Sequence, residues 1–224
     1  MEYTINGVIE LSPVSELRLS SGVNFITPLK ASVVLSSKSD NELSVLIKLE
    51  ADNDTTAQEL AQHELNRICD LMSFYDNISI SKCKIKTGKV ILSDSCNANV
   101  NYGSNHVVKL VSYLGKDYST DCEEAIYMWR EAISNQSSIL RYILLYRLLE
   151  FLKGDPKELT PWIMKEEPQV QIFKDRTRGD HTIYTYLRDN IHPKEKTFPM
   201  KQILDNESKL KTLVRKAFKE KFSI

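Results

Sequence analysis

Glycine and proline are both scarce in this sequence, with seven of each among 224 residues. Tight turns depend on these residues, so their scarcity disfavours a large all-β fold and favours long helices. The 30 basic and 30 acidic side chains balance, so the whole-chain charge indicates no polyanionic or polycationic partner. Hydrophobic residues make up 42% and charged residues 27%, which is typical of a globular protein and disfavours disordered, collagen-like and disulfide-scaffold classes.

The sequence also lacks a long apolar run. Its most apolar stretch, residues 139–152, includes two arginines and a glutamate, so it is too short and too charged to span a bilayer. The first residues include Glu2 and Glu10 and show no basic segment followed by an apolar one, which disfavours a secretory signal. We therefore expect a cytoplasmic protein with no membrane partner.

Paired cysteine motifs are absent. The four cysteines are far apart in the sequence and form no CxxC pair, so a zinc knuckle is not expected; they are Cys69, Cys83, Cys96 and Cys122. Free cysteine behaves as a small apolar side chain, and the expectation is four free thiols that are mostly buried. No ligand set for a metal or another cofactor is apparent, and no flanking sequence indicates a low-pKa catalytic thiol.

The first half of the chain shows the pattern of a small mixed sheet with one helix. Runs rich in β-branched and other apolar residues predict strands at 7–11, 30–37, 42–50, 78–86, 89–93 and 105–113. Thr55 or Thr56 is expected to cap a helix, because Glu59 completes the capping-box spacing from Thr56. These elements predict an α+β domain over residues 1–116.

The second half shows a helical pattern. Capping residues and apolar periodicity predict helices over 120–134, 137–153, 181–191 and 200–222, with an irregular, proline-containing segment at 155–181. Tyr142 and Tyr146 belong to an apolar stripe, against which Trp129 is expected to pack. The predicted fold class is therefore α+β, with a helical bundle over residues 117–224.

Possible functional side chains are densest at residues 175–194. Arg188 and His192 are four residues apart, so on a helix they share one face. In metal-free RNA cleavage, the ribose 2′-OH attacks the adjacent phosphate. A histidine can then transfer the protons while an arginine binds the phosphate oxygens as charge develops.

The segment YTYLRDNIHP resembles the motif of the HEPN (higher eukaryotes and prokaryotes nucleotide-binding) superfamily, which lies in a helical bundle. The longer stretch DHTIYTYLRDNIHP is similar to the C-terminus of methylamine-utilisation J-type proteins and their Apea-like relatives. This resemblance implies that Arg188 binds phosphate, that His192 is the acid or base, and that Asp189 is the polar residue after the arginine. RNA contacts are expected from the neighbouring side chains Arg178, Tyr184, Asn190 and Lys194.

The resemblance implies a metal-independent endoribonuclease that acts on RNA as a homodimer through its helical bundle. Such a protein could be the effector of a prokaryotic antiviral defence or toxin–antitoxin system, with a protein partner from that system. The alternative is a catalytically inactive dimerisation or scaffold subunit. Only three residues separate Arg188 from His192, one fewer than in the family motif, which favours this alternative. Arg176 and His181 have four intervening residues, but Gly179 interrupts them.

The C-terminal segment carries a local excess of positive charge. Residues 194–221 include nine basic and four acidic side chains. Such a surplus can contact phosphates, although it is also typical of a solvated helix face. The sequence leaves both interpretations open.

Overall fold

The computed structural model describes residues 1–13, 17, 19, 22–86, 105–175, 179–191 and 200–224. The chain divides into two compact units, Met1–Arg130 and Glu131–Ile224. The first unit contains a sheet and the second is mainly helical, which confirms the predicted α+β class. The division falls within a helix rather than at the expected 116/117 position.

Among the described residues of the first unit, five strands form a sheet in the order β2-β3-β4-β1-β5. They are β1 (Glu2–Leu11), β2 (Val23–Ile26), β3 (Ser32–Ser39), β4 (Glu42–Glu50) and β5 (Ile80–Ile85). Each adjacent pair is antiparallel, so the sheet is not mixed as expected. The strands predicted at 7–11, 30–37, 42–50 and 78–86 are confirmed within a few residues, whereas the one predicted at 89–93 lies outside the described residues.

Helix α1 (Asp54–Tyr75) links β4 to β5 and packs against the sheet. Its N-cap is Asn53, not a threonine, and the Asn53 side chain accepts a hydrogen bond from the Thr56 amide at 2.9 Å. The helix approaches β1 closely at Gly7, where a Cβ atom would lie 3.2 Å from Leu65 Cδ2. Glycine therefore allows the close contact between helix and strand at this point.

The segment predicted as a strand at 105–113 is instead helix α2 (Asn105–Leu114). Its valines favour a strand locally, but Leu110, Tyr113 and Leu114 are all buried. Their spacing of three and four residues places them on one helix face, so burial of that face decides the structure. The strand prediction is wrong at this position.

Helix α3 (Thr120–Ser134) carries Trp129, which is fully buried. The indole ring packs edge-on against Phe74 of α1, with ring centroids 5.9 Å apart. The indole Nε1 donates a hydrogen bond to the Ser73 carbonyl at 3.1 Å. Arg130 adds an ion pair with Asp70 at 2.9 Å, so α1 and α3 share both an apolar and a charged contact.

Glu64 is a buried acid on the same helix α1, with an exposed fraction of 1%. The Thr27 hydroxyl lies nearby, but neither carboxylate oxygen has a well-aligned hydrogen-bond partner among the described residues. Burial raises the pKa of Glu64, and Arg67 and His63 only partly oppose that shift. The charged carboxylate therefore destabilises the folded unit.

We expect Glu64→Gln to stabilise the protein by about 1 kcal/mol near neutral pH. Because the pKa of Glu64 is raised on folding, its contribution to stability is lost as the pH rises through the folded-state pKa. The gain from the variant should therefore shrink as the pH falls toward about 4. Urea unfolding can be followed by Trp129 fluorescence in a Trp162→Phe background. An equal gain in unfolding free energy near neutral pH and near about pH 4 would show that the charge of Glu64 does not cause the effect.

In the part of the second unit that the structure describes, there are four further helices and a two-stranded hairpin. The helices are α4 (Ser138–Lys153), α5 (Pro156–Glu166), α6 (Ile183–Asp189) and α7 (Met200–Phe222), and the hairpin is β6 (Ile172–Asp175) with β7 (Gly179–Thr182). The predictions for α4 and α7 are confirmed. The segment 155–181 is not irregular as expected, because it contains α5 and the hairpin, and α6 is shorter than the predicted 181–191.

Helices α4 and α7 pack side by side in a parallel orientation within the second unit. Arg141 near the start of α4 binds both carboxylate oxygens of Glu207, at 2.6 and 3.1 Å. Near the other ends of the helices, Lys153 pairs with Glu220. Between these charged pairs lie fully buried apolar side chains from both helices, namely Leu145, Leu149, Leu210, Val214 and Phe218.

Candidate functional site

Arg188 lies in the last turn of the short helix α6 and reaches α4. Its Nη1 is 3.3 Å from Glu150 Oε1, and its Nε is 2.8 Å from Asp189 Oδ1. The guanidinium carbon lies 4.7 Å from the centroid of the Tyr146 ring. Two carboxylates and an aromatic ring therefore hold the guanidinium, whose side chain keeps an exposed fraction of 30%.

Tyr146 is held in place beneath this arginine. Its hydroxyl forms a hydrogen bond of 2.8 Å with Thr185 Oγ1, and its side chain is fully buried. Burial raises the pKa of Tyr146 to about 12, so the phenol stays neutral. Burial also raises the pKa of Glu150, which Arg188 opposes by stabilising the carboxylate. Arg188 therefore contacts an uncharged ring, that of Tyr146, and one partly buried carboxylate, that of Glu150.

A cleft of about 610 Å³ opens beside Arg188, between α5 and the segment from β7 to α6. Its polar lining consists of Lys157, Thr160, Asp180, His181, Thr185, Arg188 and Asp189. Two cationic side chains, Lys157 and Arg188, thus face two carboxylates, Asp180 and Asp189, in the lining. Because it combines donors, acceptors and an imidazole, the cleft is suited to acid–base chemistry on an anionic group.

Two buried donors in this lining lack well-aligned hydrogen-bond partners among the described residues. One is Thr160 Oγ1, on a side chain with an exposed fraction of only 7%, and the other is Arg188 Nε. The Nε atom is close to Asp189, but that contact is an ion pair without hydrogen-bond alignment. Buried polar groups usually have partners, so these donors could serve an anionic oxygen that enters the cleft.

The functional residues predicted from the sequence do not all line this cleft. Arg188 and Asp189 line the cleft, and the Asn190 side chain donates a hydrogen bond of 2.7 Å to the Tyr186 carbonyl. Tyr184 is fully buried, and its hydroxyl donates to Glu167 at 2.6 Å. The expectation that Tyr184 contacts RNA is therefore corrected, because its side chain belongs to the core. The remaining predicted residues lie outside the described residues; they are Arg178, His192 and Lys194.

Several side chains around Arg188 are not among the functional residues that the sequence predicts. Gly179 disfavours a helical pairing of Arg176 with His181, and Lys157 and Thr160 lie in the segment expected to be irregular. A signal for α5 was present, because Asp155 is a good N-cap and Pro156 suits the first helical position. No local signal connects Arg188 with Glu150.

The basic residues of α7 are largely engaged within the second unit. Lys209 and Lys216 pair with Glu167 and Glu166 at 3.3 and 3.4 Å, and Lys211 pairs with Glu207 at 2.8 Å. These pairs reduce the local positive charge. The structure thus favours the interpretation of this segment as a solvated helix face that packs on one side.

Within the described ranges, no cluster of three or more His, Cys, Asp or Glu side chains is arranged to hold a metal ion. Among the helices of those ranges, none combines the length and apolar character needed to cross a bilayer. Comparison with protein-family models, curated proteins and solved structures gives no match to this chain.

Proposed function

We propose that this protein is a metal-independent, HEPN-like endoribonuclease. The observation that carries the proposal is one cleft whose lining includes Arg188, His181 and Thr160, and the Thr160 hydroxyl has no hydrogen-bond partner among the described residues. The resemblance of residues 184–193 to the HEPN motif supports the same chemistry. In this proposal the chain acts as a cytoplasmic homodimer and as the effector of a prokaryotic defence or toxin–antitoxin system.

The proposed reaction begins when the ribose 2′-OH attacks the adjacent phosphorus and the bond to the 5′-oxygen breaks. The Arg188 guanidinium binds the phosphate oxygens, on which negative charge increases in the transition state. A histidine accepts the 2′-OH proton or donates a proton to the leaving oxygen. The motif assigns this role to His192, whereas the cleft offers His181.

A scaffold function is the second candidate, and the contacts of Arg188 favour it. Its ion pairs with Glu150 and Asp189 and its contact with Tyr146 are also what a purely structural arginine would make. A phosphate would have to compete with two carboxylates for the same guanidinium. In this alternative the second unit is an inactive dimerisation module and the first unit binds a protein partner.

The deciding experiment is incubation of the purified protein with total tRNA and with a generic single-stranded RNA, with and without a chelator. His181→Ala and His192→Ala are assayed separately, and His63→Ala in the first unit is the matched control. We expect wild-type cleavage to resist the chelator and to fall about 10²–10⁴-fold in the variant that lacks the proton-transfer group.

Each result of this assay has a distinct meaning. Loss of activity in only one of the two variants, His181→Ala or His192→Ala, identifies the histidine that transfers the proton. Cleavage that both histidine variants retain would place the chemistry elsewhere. A wild-type protein that binds but does not cleave RNA, or does neither, would favour the scaffold function.

A further inference from the structure

Two helices supply matching pairs of side chains to the cleft beside Arg188. Lys157 and Thr160 come from α5, and Thr185 and Arg188 come from α6. The members of each pair are three positions apart on a helix, so they share a face, with about 5–6 Å between their Cβ atoms. Asp180 comes from β7 and repels a phosphate, so the two helices are the walls of the cleft that suit an anion.

The pair on α6 is engaged in contacts within the second unit. The Thr185 hydroxyl forms a hydrogen bond of 2.8 Å with the Tyr146 hydroxyl. Arg188 pairs with Glu150 at 3.3 Å and with Asp189 at 2.8 Å. A phosphate that binds Arg188 therefore competes with two carboxylates. A second contact on the same RNA chain offsets this competition, because it raises the effective concentration of the phosphate at Arg188.

The pair on α5 has no such partners in the part of the chain that the structure describes. Lys157 is exposed, and no ion pair engages its ammonium group there. Thr160 is buried, and its hydroxyl has no hydrogen-bond partner, not even the Pro156 carbonyl one turn earlier. Because buried polar groups usually have partners, this hydroxyl indicates a place for a ligand. A positive charge and a donor on one helix face are thus available to an anionic group.

We propose that Lys157 and Thr160 bind the phosphate next to the one that is cleaved, so that the substrate is an oligonucleotide with at least two consecutive phosphodiesters. This inference rests on the proposed function, in which Arg188 binds the cleaved phosphate. The Lys157 ammonium group supplies a positive charge. Threonine has two χ1 rotamers in helices, so the Thr160 hydroxyl can turn toward a phosphate oxygen. RNA carries a phosphate at every nucleotide, so one chain can contact both helices.

Two noncleavable analogues test this subsite. A 2′-O-methyl dinucleotide has one phosphodiester and the corresponding trinucleotide has two, and methylation removes the attacking hydroxyl. We expect the wild-type protein to bind the trinucleotide at least about tenfold more tightly in an NMR titration. Lys157→Gln and Thr160→Val should each lower this preference at least about threefold. Lys165→Gln is the control and should retain it, because Lys165 is exposed on α5 and does not line the cleft.

The salt dependence of binding shows whether the preference comes from a phosphate contact or from the additional base. Each phosphate contact to a single strand contributes about 0.7 to the slope of log affinity against log salt concentration. Lys157→Gln should therefore lower the trinucleotide slope by about 0.7. An unchanged slope would show that Lys157 contacts no phosphate and would overturn its assignment.

Thr160→Val separates a ligand contact from a structural role. The hydroxyl has no partner in the free protein, so its replacement by a methyl group should leave the free energy of unfolding unchanged or raise it. Urea unfolding measures this quantity. Weaker trinucleotide binding with undiminished stability supports the subsite, whereas weaker binding that accompanies a loss of stability would make Thr160 a structural residue.

Failure of this inference differs from failure of the proposed function. Equal affinity of the wild-type protein for the two analogues, no binding of either, or a preference that both α5 variants retain would overturn the subsite even if the protein cleaves RNA. A preference that depends on Lys157 and Thr160 supports the two-phosphate site even if RNA is not cleaved. In that case only the cleavage chemistry is wrong.

Discussion

In the proposed ribonuclease reaction, replacing Arg188 with alanine is expected to lower the rate of RNA cleavage by about 10²–10³-fold. The guanidinium is the group in the cleft best suited to bind a phosphate through two parallel hydrogen bonds. Arg188→Lys keeps the charge but loses the planar fork, so it should recover only part of the activity. Initial rates with a single-stranded RNA, measured under saturating and limiting substrate, separate a loss of binding from a loss of catalysis.

The control for this experiment is Arg147→Ala. Arg147 is an exposed arginine on α4 and does not line the cleft, so its removal tests the general effect of losing one positive charge. Glu150→Gln provides a second comparison, because it removes the acid that pairs with Arg188 and leaves the arginine in place. If Arg188→Ala cleaves RNA at the wild-type rate, Arg188 is structural and the phosphate-binding group lies elsewhere.

Trp129→Ala is expected to destabilise the first unit by about 3–5 kcal/mol. The indole is fully buried, packs against Phe74 and satisfies the Ser73 carbonyl, so its removal leaves both a cavity and an unpaired acceptor. Trp129→Phe should cost less, because it keeps most of the ring volume and loses only the hydrogen bond and part of the packing.

Urea unfolding followed by far-ultraviolet circular dichroism measures this loss. The control is Tyr127→Ala on the same helix, whose side chain has an exposed fraction of 47% and should matter by less than about 1 kcal/mol. Similar losses for the two variants would contradict the role of Trp129 as the main apolar contact between α1 and α3.

Elements in which apolar residues recur with a clear period were predictable from the sequence. The strand at 42–50 alternates apolar and polar residues at every position except Leu46, and β4 spans the same residues. Helices α1, α4 and α7 each combine apolar periodicity over many residues with identifiable limits, such as Gly154 after α4. In these elements the local preference and the tertiary packing favour the same structure.

Short or ambiguous elements were not predictable in this way. The valine-rich segment of α2 favours a strand locally, and only the burial of Leu110, Tyr113 and Leu114 on one face makes it a helix. Trp129 packs against Phe74 of α1, a contact that the sequence does not predict. A contact between residues so far apart in sequence carries no periodic signal.

The candidate site shows the same contrast between features that are predictable from the local sequence and features that depend on tertiary packing. The sequence alone identified Arg188 and Asp189, because they lie in one short polar segment with a recognisable motif. The partners of Arg188 are decided by the tertiary structure, since Glu150 and Tyr146 come from α4 and Thr160 comes from α5. Side-chain chemistry is a local property that the sequence states directly. Which groups share a cleft depends on how distant helices pack, and that packing is a property of the whole folded unit.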